Sequence, residues 1–242
     1  MSNQLQVSCI VPAYNSERFL GEALDSILDQ THRPLEIIVA DDGSTDRTRE
    51  IATSYGEPVR VVTQKTAGPP ATRNLGLAAA RSEFIAFLDA DDLWHREKLA
   101  RQLARFASRP EIGACVTGIR NFWIPELKEE EARLSRTKMG QELPGYVTMT
   151  LLARRKTFDA VGPFDARLWY SDSADWFLRA REKGVVIEHI DDVLVFHRMH
   201  EKNLTRRQAL KTRDEFLSTI RASLKKRRDG VEESRNSNDD AS

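Results

Sequence analysis

Cysteine is scarce in this 242-residue chain. Only Cys9 and Cys115 occur, both inside apolar runs, Val7-Ser8-Cys9-Ile10-Val11 and Ile112-Gly113-Ala114-Cys115-Val116. They lack metal-type spacing and read as small core residues, which points to a reducing compartment and away from a disulfide scaffold. An excess of charge is lacking too, since 37 basic residues balance 37 acidic ones. Nothing global then attracts the chain to nucleic acid, and no nucleic-acid partner is expected. No apolar run approaches the roughly 18 residues that span a bilayer, and no basic leader opens onto an apolar stretch near Met1. A cytoplasmic protein is expected, at most peripheral to the inner face of the membrane. The absence of G-x-G-x-x-G disfavours a dinucleotide dehydrogenase.

What is present suits one α/β domain with its own core: 40% hydrophobic residues in a chain of this length. Up to residue 107, short apolar runs alternate with helical patterns. Strands are expected at 7–11, 35–40, 59–63 and 84–88. Helices are expected after Ser16 as N-cap and over 45–54, 70–80 and 93–107. Such alternation predicts a mostly parallel sheet with helices on both faces. The second half is less regular. Strands are expected within 112–123, 185–190 and 193–196, helices over 151–160, 175–183 and 208–224, and a charged helix-and-loop excursion over 124–143. The expected division is a domain over 1–205, with a donor half to residue 110 and an acceptor half from residue 111. A C-terminal amphipathic helix over 206–228 follows, then a polar, disordered tail over 229–242.

In open α/β sheets, ligands sit at the carboxyl ends of strands. Three such ends carry polar clusters here: Pro12-Ala13-Tyr14-Asn15, Asp41-Asp42-Gly43-Ser44 and Asp89-Ala90-Asp91-Asp92. Converging carboxylates repel one another unless a cation or a donor-rich ligand compensates. Asp89 and Asp91 share one short turn and can hold a hard cation, Mg²⁺ or Mn²⁺, which bridges to substrate phosphates. Plainer readings stand beside these. Asp89 or Asp92 could cap a helix, Asp42-Gly43 could simply form a turn, and Ser44 or Thr45 could cap the next helix. Arg73, in Ala67-Gly68-Pro69-Pro70-Ala71-Thr72-Arg73-Asn74-Leu75-Gly76, could face a phosphate, close a base pocket or lie on the surface.

Four segments together resemble glycosyltransferase family 2, inverting enzymes with the GT-A fold. They are VSCIVPAYNSERFLGEALDSILDQT, LEIIVADDGSTDRT, AGPPATRNLGLAAARSEFIAFLDADD and VGPFDARLWYSDSADWFLRAREKG. The resemblance covers roughly residues 6–205 and implies a Rossmann-like GT-A domain. It implies a nucleotide-diphosphate sugar donor, with uracil the expected base, and a divalent metal cofactor, Mn²⁺ or Mg²⁺. By the same resemblance, Pro12, Ala13 and Tyr14 look like the wall for base and ribose. Asp41 and Asp42 look like the pair at the base, one accepting from an imide N–H. Arg73 looks like the arginine near base and phosphates. Asp89-Ala90-Asp91 looks like the Asp-X-Asp turn, with Asp91 the direct metal ligand and Asp89 nearer the ribose or sugar.

The chain departs from the family pattern at the base. Alignment on Arg179 and Gly184 sets Asp172-Ser173 opposite the family's Glu-Asp, so a serine stands where the catalytic carboxylate is expected. Asp172 and Asp175 are the two candidates to replace it, with Asp172 favoured. In the closing segment Phe196–Asn203, His200 is the candidate to approach metal or diphosphate, and Arg198 is a second. Trp169 and Tyr170 are the acceptor-binding candidates, while core packing is expected for most tryptophans.

The implied reaction is direct displacement at the anomeric carbon, with a carboxylate taking the acceptor's proton. Two rivals are a noncatalytic nucleotide-sugar binder, motivated by Ser173, and a nucleotidyltransferase. The second is disfavoured because Pro12-Ala13-Tyr14-Asn15 holds the place of a Gly-rich phosphate loop. The acceptor, whether glycan, lipid-linked glycan or small metabolite, is left open. Lys225-Lys226-Arg227-Arg228 could touch an anionic membrane surface.

Overall fold

The computed structural model describes residues 5–134, 137 and 142–239. Its first half alternates strand and helix as expected. The order is β1 (Val7–Ala13), α1 (Leu20–Leu28), β2 (Glu36–Asp41), α2 (Thr48–Ser54), β3 (Val59–Thr63), α3 (Pro69–Ala79) and β4 (Phe84–Phe87). Then come β5 (Leu93–Trp94), α4 (Lys98–Ser108), β6 (Ile112–Trp123), α5 (Lys128–Leu134), β7 (Leu143–Pro144) and β8 (Leu152–Arg154). The remainder is α6 (Arg155–Val161), α7 (Asp172–Glu182), β9 (Val186–Met199), α8 (Leu204–Arg207) and α9 (Ala209–Asp239).

The strands lie side by side in the order β3-β2-β1-β4-β8-β6-β9-β5, with β7 against β6. By their pairings, β3, β2, β1, β4, β6 and β9 run one way, and β8, β5 and β7 run the other. This is the mostly parallel α/β sheet that the alternation predicts. Its central strands are apolar along both edges of the pleat because both faces are covered. Alternation along β1 divides the core in two. Val7, Cys9 and Val11 meet Leu20, Leu24 and Ile27 of α1 and Leu99, Leu103 and Phe106 of α4. Ile10 faces the other way, into a cluster with Phe158, Val161, Trp176 and Phe177 of α6 and α7. On that side α3 presses close to β1. A Cβ on Gly76 would stand 2.3 Å from Ile10 Cγ2, so a side chain there would push α3 off the sheet.

Several expected boundaries change. Residues 93–94 form β5, antiparallel to Val195–Phe196 of β9, and the helix begins only at Lys98. Residues 152–154 form β8, wedged between β4 and β6, before α6 starts. Both strands are too short to show a period, so tertiary pairing decides them. The late strands merge into one long β9, and α7 begins at Asp172, three residues ahead of expectation. Ser16 does not cap α1 with its side chain. Its carbonyl accepts the Phe19 and Leu20 amides instead, and α1 starts at Leu20.

The stretch 229–239, expected to be disordered, continues α9. Gly, Asn, Ser and Asp make it a weak helix former by itself, but no proline follows Pro163, so a helix already nucleated upstream can propagate. Residues 240–242, and 135–136 and 138–141 of the charged excursion, lie outside the described residues. Among the described residues no helix is long and apolar enough to cross a membrane.

Candidate active site

The loops that follow β1 and β2 brace each other. Asn15 adopts φ 49°, a left-handed conformation that asparagine tolerates better than most residues. Its amide donates to Ser44 Oγ at 2.9 Å, and its Oδ1 accepts the Thr45 amide at 2.9 Å. The Ser16 amide donates to Thr48 Oγ1, and the Glu17 amide to Asp46 Oδ2. Much of both polar motifs therefore serves to lock two loops into one rim. Tyr14 projects from that rim, 52% exposed, above Pro12 and Ala13.

Asp41 and Asp42 are both buried. Asp41 accepts the Ser44 amide at 3.1 Å, and Arg49 Nε stands 3.6 Å from its other oxygen. Asp42 shapes the next loop: it accepts from Gln64 Nε2 at 2.7 Å and from the Ala67 and Gly68 amides at 2.9 Å each. Those three donors fill three of the roughly four acceptor positions of a carboxylate. Gly68 has φ 94°, and a Cβ there would lie 2.6 Å from the Trp169 ring. That glycine lets the indole rest on the loop.

Arg73, the residue with the weakest individual signal in the sequence, sits at the centre. It is buried on α3 and donates from Nη2 to Asp89 at 3.0 Å and from Nη1 to Asp172 at 2.7 Å. Burial opposes its charge, but Asp172 and Asp89 outweigh that and hold its pKa above the ordinary arginine value. Its Nε is buried with no hydrogen-bond partner among the described residues. Burial pushes the Asp172 carboxyl above its ordinary range, against the pull of Arg73 and of the Ser173 amide. Asp175 is turned elsewhere. It pairs with Arg179 Nε at 2.7 Å, and Arg179 in turn donates to the carbonyls of Val161 and Pro163.

The turn after β4 splits its acids between three tasks. Asp89 meets Arg73. Asp91 Oδ2 lies 2.8 Å from His200 Nε2 and 3.5 Å from Asn203 Nδ2. Asp92 is fully buried and accepts the Arg198 amide at 2.8 Å; burial, then Asp91 and Asp89, push its pKa well up. Arg198 does not face the open site. Its guanidinium lies between the rings of Phe19 and Phe122, donates to the Asp91 carbonyl, and pairs with Glu22 at 2.8 Å. It fastens the end of β9 to the acidic turn and so brings His200 to Asp91. Asn203, which sequence reasoning passed over, accepts the His200 amide at 2.7 Å and donates to the Arg198 carbonyl at 3.0 Å.

Among the described residues no three His, Cys, Asp or Glu side chains converge as a closed metal site. Two do converge, Asp91 and His200, with oxygen and nitrogen at a separation one ion can bridge. That suits a cation which takes its remaining ligands from phosphate oxygens and water. Asp89, expected as a second ligand, is held by Arg73. Of the acceptor candidates, Trp169 is 42% exposed and Tyr170 is half-buried. Trp94 and Trp176 are core residues, as expected.

A sequence model described as glycosyl transferase family 2 matches residues 8–168, which include every proposed donor-side residue from Pro12 to Asp91. The chain belongs to this family. An uncharacterized glycosyltransferase of Rickettsia typhi is 31% identical over 232 residues, covering 91% of this chain and 72% of the relative. S. aureus TarS in complex with UDP-GlcNAc superposes with a TM-score of 0.72 at 23% identity, over 90% of this chain and 65% of TarS. A mannosyltransferase from Pyrobaculum calidifontis in complex with GDP-Man and Mn²⁺ superposes with a TM-score of 0.65 at 21% identity, over 91% of this chain and 65% of that one. At these identities the two structures establish the GT-A fold. The chain spans just under two thirds of the length of each. Membership of this family removes the nucleotidyltransferase reading.

Proposed function

We propose that this family 2 member is an inverting glycosyltransferase. It takes a sugar from a nucleotide diphosphate donor, with UDP the nucleotide, and transfers it to an acceptor hydroxyl. The observation that carries this is the Arg73 bridge, which joins the acidic turn after β4 to the first turn of α7. It sets a donor-side acid and an acceptor-side acid on opposite sides of one guanidinium. The nucleotide sugars held by TarS and by the mannosyltransferase support the donor class.

In this reading Tyr14, Pro12 and Ala13 flank the base and ribose. Asp42, with one acceptor position left, or Asp41 beside it takes the imide N–H. Arg73 is the cation near the base and the diphosphate, and its guanidinium has more N–H donors than Asp89 and Asp172 take up. Asp91 and His200 would hold a divalent cation, Mn²⁺ or Mg²⁺, whose chemistry is to neutralise charge on the leaving diphosphate. The acceptor oxygen forms its bond to the anomeric carbon while the bond from that carbon to the diphosphate oxygen breaks. The electron pair leaves on the diphosphate, and the acceptor's proton passes to Asp172. Attack on the face opposite the leaving group inverts the configuration. Trp169 and Tyr170 face the acceptor.

Calorimetric titration with UDP, GDP and dTDP, each with Mn²⁺, Mg²⁺ or chelator, tests the donor site. Metal-dependent binding of UDP is expected, and a folded protein that binds none of the three would end the proposal. A second reading is a noncatalytic nucleotide-sugar binder. It is favoured by Ser173 at the base position and by the commitment of Asp172 to Arg73. Such a protein would bind UDP and release none from any UDP-sugar.

Peripheral contact with an anionic membrane also belongs to this reading. Leu210, Leu217 and Leu224 recur every seven residues on the exposed face of α9, among Arg213, Arg221, Lys225 and Arg228. Co-sedimentation with phosphatidylglycerol vesicles, absent with neutral ones and lost at high salt, is the expected result. Equal behaviour with both vesicle types would refute it.

A further inference from the structure

The loop between α6 and α7 carries Trp169 and Tyr170 and leads into Asp172. Side chains from two other elements tie it down. At its start, Asn74 of α3, next to Arg73, makes a reciprocal pair with Phe164. Asn74 Nδ2 donates to the Phe164 carbonyl at 2.8 Å, and Oδ1 accepts the Phe164 amide at 2.9 Å. At its end, one carboxylate oxygen of Glu215 on α9 accepts three times: from the Tyr170 amide at 2.7 Å, the Ser171 amide at 2.8 Å and Ser171 Oγ at 3.0 Å. Thr219, one turn further along α9, lies 2.9 Å from Ser171 Oγ. Ser223 donates to Glu182 at the far end of α7, at 2.7 Å. Between the two ties, the Trp169 indole rests on Gly68, whose amide is held by Asp42.

We propose that Glu215 is a positioning residue for the transfer reaction, through which α9 holds the acceptor-side loop and the first turn of α7 in register with the donor site. This rests on the transferase reading. Glu215 lies beyond residue 168, where the family match ends. Ser171 is buried, so when the carboxylate is removed its hydroxyl keeps Thr219 but its amide loses its acceptor away from water. The carboxylate also sits at the positive end of the 11-residue α7, which favours an anion there. With Glu215 gone, the Tyr170 and Ser171 amides lose their acceptor, and the loop is left with the Asn74 tie at its start, the Thr219 contact to Ser171 and the Arg73 pair at Asp172. A shift of about 1 Å at reacting groups can cost on the order of a hundredfold in rate. The nucleotide pocket, built from β1, β2, α3 and β4, does not touch α9 through Glu215. Binding and turnover should therefore separate.

The experiment compares the full chain with Glu215→Ala, Glu215→Gln and Thr219→Val. It reads UDP affinity by calorimetry, UDP release from UDP-sugar, and amide exchange at Tyr170 and Ser171. Glu215→Ala is expected to keep its UDP affinity, lose about a hundredfold in turnover and exchange both amides faster. Glu215→Gln is expected to stay close to wild type, because its amide oxygen accepts the same two N–H groups. Thr219→Val, which removes only the hydroxyl beside Ser171, should fall between, and it carries the test if Glu215→Ala does not fold. Wild-type turnover in Glu215→Ala, or turnover and UDP affinity falling together, would overturn the proposal. A wild-type chain that binds UDP and releases none from any donor would instead defeat the transferase reading itself.

Discussion

Arg73 stands between Asp89 and Asp172 and donates to both, at 3.0 and 2.7 Å, from a side chain that is almost wholly buried. The pairing fixes the first turn of α7 against the turn after β4 through one planar group. Lysine cannot reproduce it, because a point charge on a flexible stem does not offer a rigid fork to two separated carboxylates. Arg73→Ala leaves Asp172 buried and unpaired. It is expected to cost about 3–5 kcal/mol, as when one partner of a buried ion pair is removed. Arg73→Lys should recover only part of that. Urea denaturation of the three proteins measures it. Equal stability of Arg73→Ala and wild type would show that the bridge does not hold in solution.

The Asp91–His200 contact makes a separate prediction. The 2.8 Å approach of Nε2 to Oδ2 puts two proposed ligands within reach of one ion, and each is set by a partner: Arg198 through the Asp91 carbonyl, and Asn203 through the His200 amide. Loss of an outer partner typically weakens metal affinity about 10- to 100-fold, and loss of a ligand should do at least as much. Asp91→Asn and His200→Gln are therefore expected to raise the Mn²⁺ concentration needed for UDP binding by at least about tenfold. Calorimetry across a Mn²⁺ series reads this. An unchanged requirement in both variants would place the ion elsewhere.

The first half of the chain was legible because its signals are local. Continuous apolar runs marked strands buried on both faces, and acidic turns marked their carboxyl ends. What those turns do was less legible. Asn15, Ser44 and Thr48 belong to motifs that look ligand-facing, yet they brace one loop against another. Arg73 looked like a surface arginine because its partners, Asp89 and Asp172, are joined to it only by the fold. The short strands β5 and β8 have no period to detect and exist because longer neighbours pair with them. Glu215 carries no signal at all in a charged amphipathic helix. Its role is visible only as three donors on one oxygen.

Asp172 and Asp175 can be told apart by their partners. Asp175 is spent on an i,i+4 pair with Arg179, an interaction worth about 0.3–0.5 kcal/mol. Asp175→Asn should change stability by little more than that and leave turnover near wild type. Asp172→Asn should lower turnover by about 10²–10⁴-fold, the usual contribution of a general base. Because burial raises the Asp172 carboxyl above its ordinary 3.8, the acid limb of the kcat/KM profile should lie above that value. The base works only when deprotonated, so activity falls as pH drops through that limb. An Asp172→Asn protein with full turnover would move the base to another group.

Lys98 offers a test of the core itself. It is fully buried on α4, donates to Gln102 Oε1 at 2.9 Å, and lies 4.1 Å from the centre of the Trp94 ring. The titratable groups facing it are the thiols of Cys9 on β1 and Cys115 on β6. Burial pushes the ammonium from 10.5 down to about 7 and pushes both thiols from 9.0 up to about 12. Between pH 7 and 9 the unfolded chain holds the lysine proton and the folded one has released it, so stability must rise, by up to about 1.4 kcal/mol per pH unit. Above about pH 9 the unfolded thiols ionise while the folded ones stay protonated. Two proton differences then oppose one, and the slope reverses. Stability should therefore peak near pH 9. Lys98→Met should remove the rise and keep the fall. Urea denaturation at intervals from pH 6.5 to 10 measures both proteins. A rise that persists in Lys98→Met would assign it to another group, and a flat wild-type curve would mean the ammonium reaches water in a way its burial does not suggest.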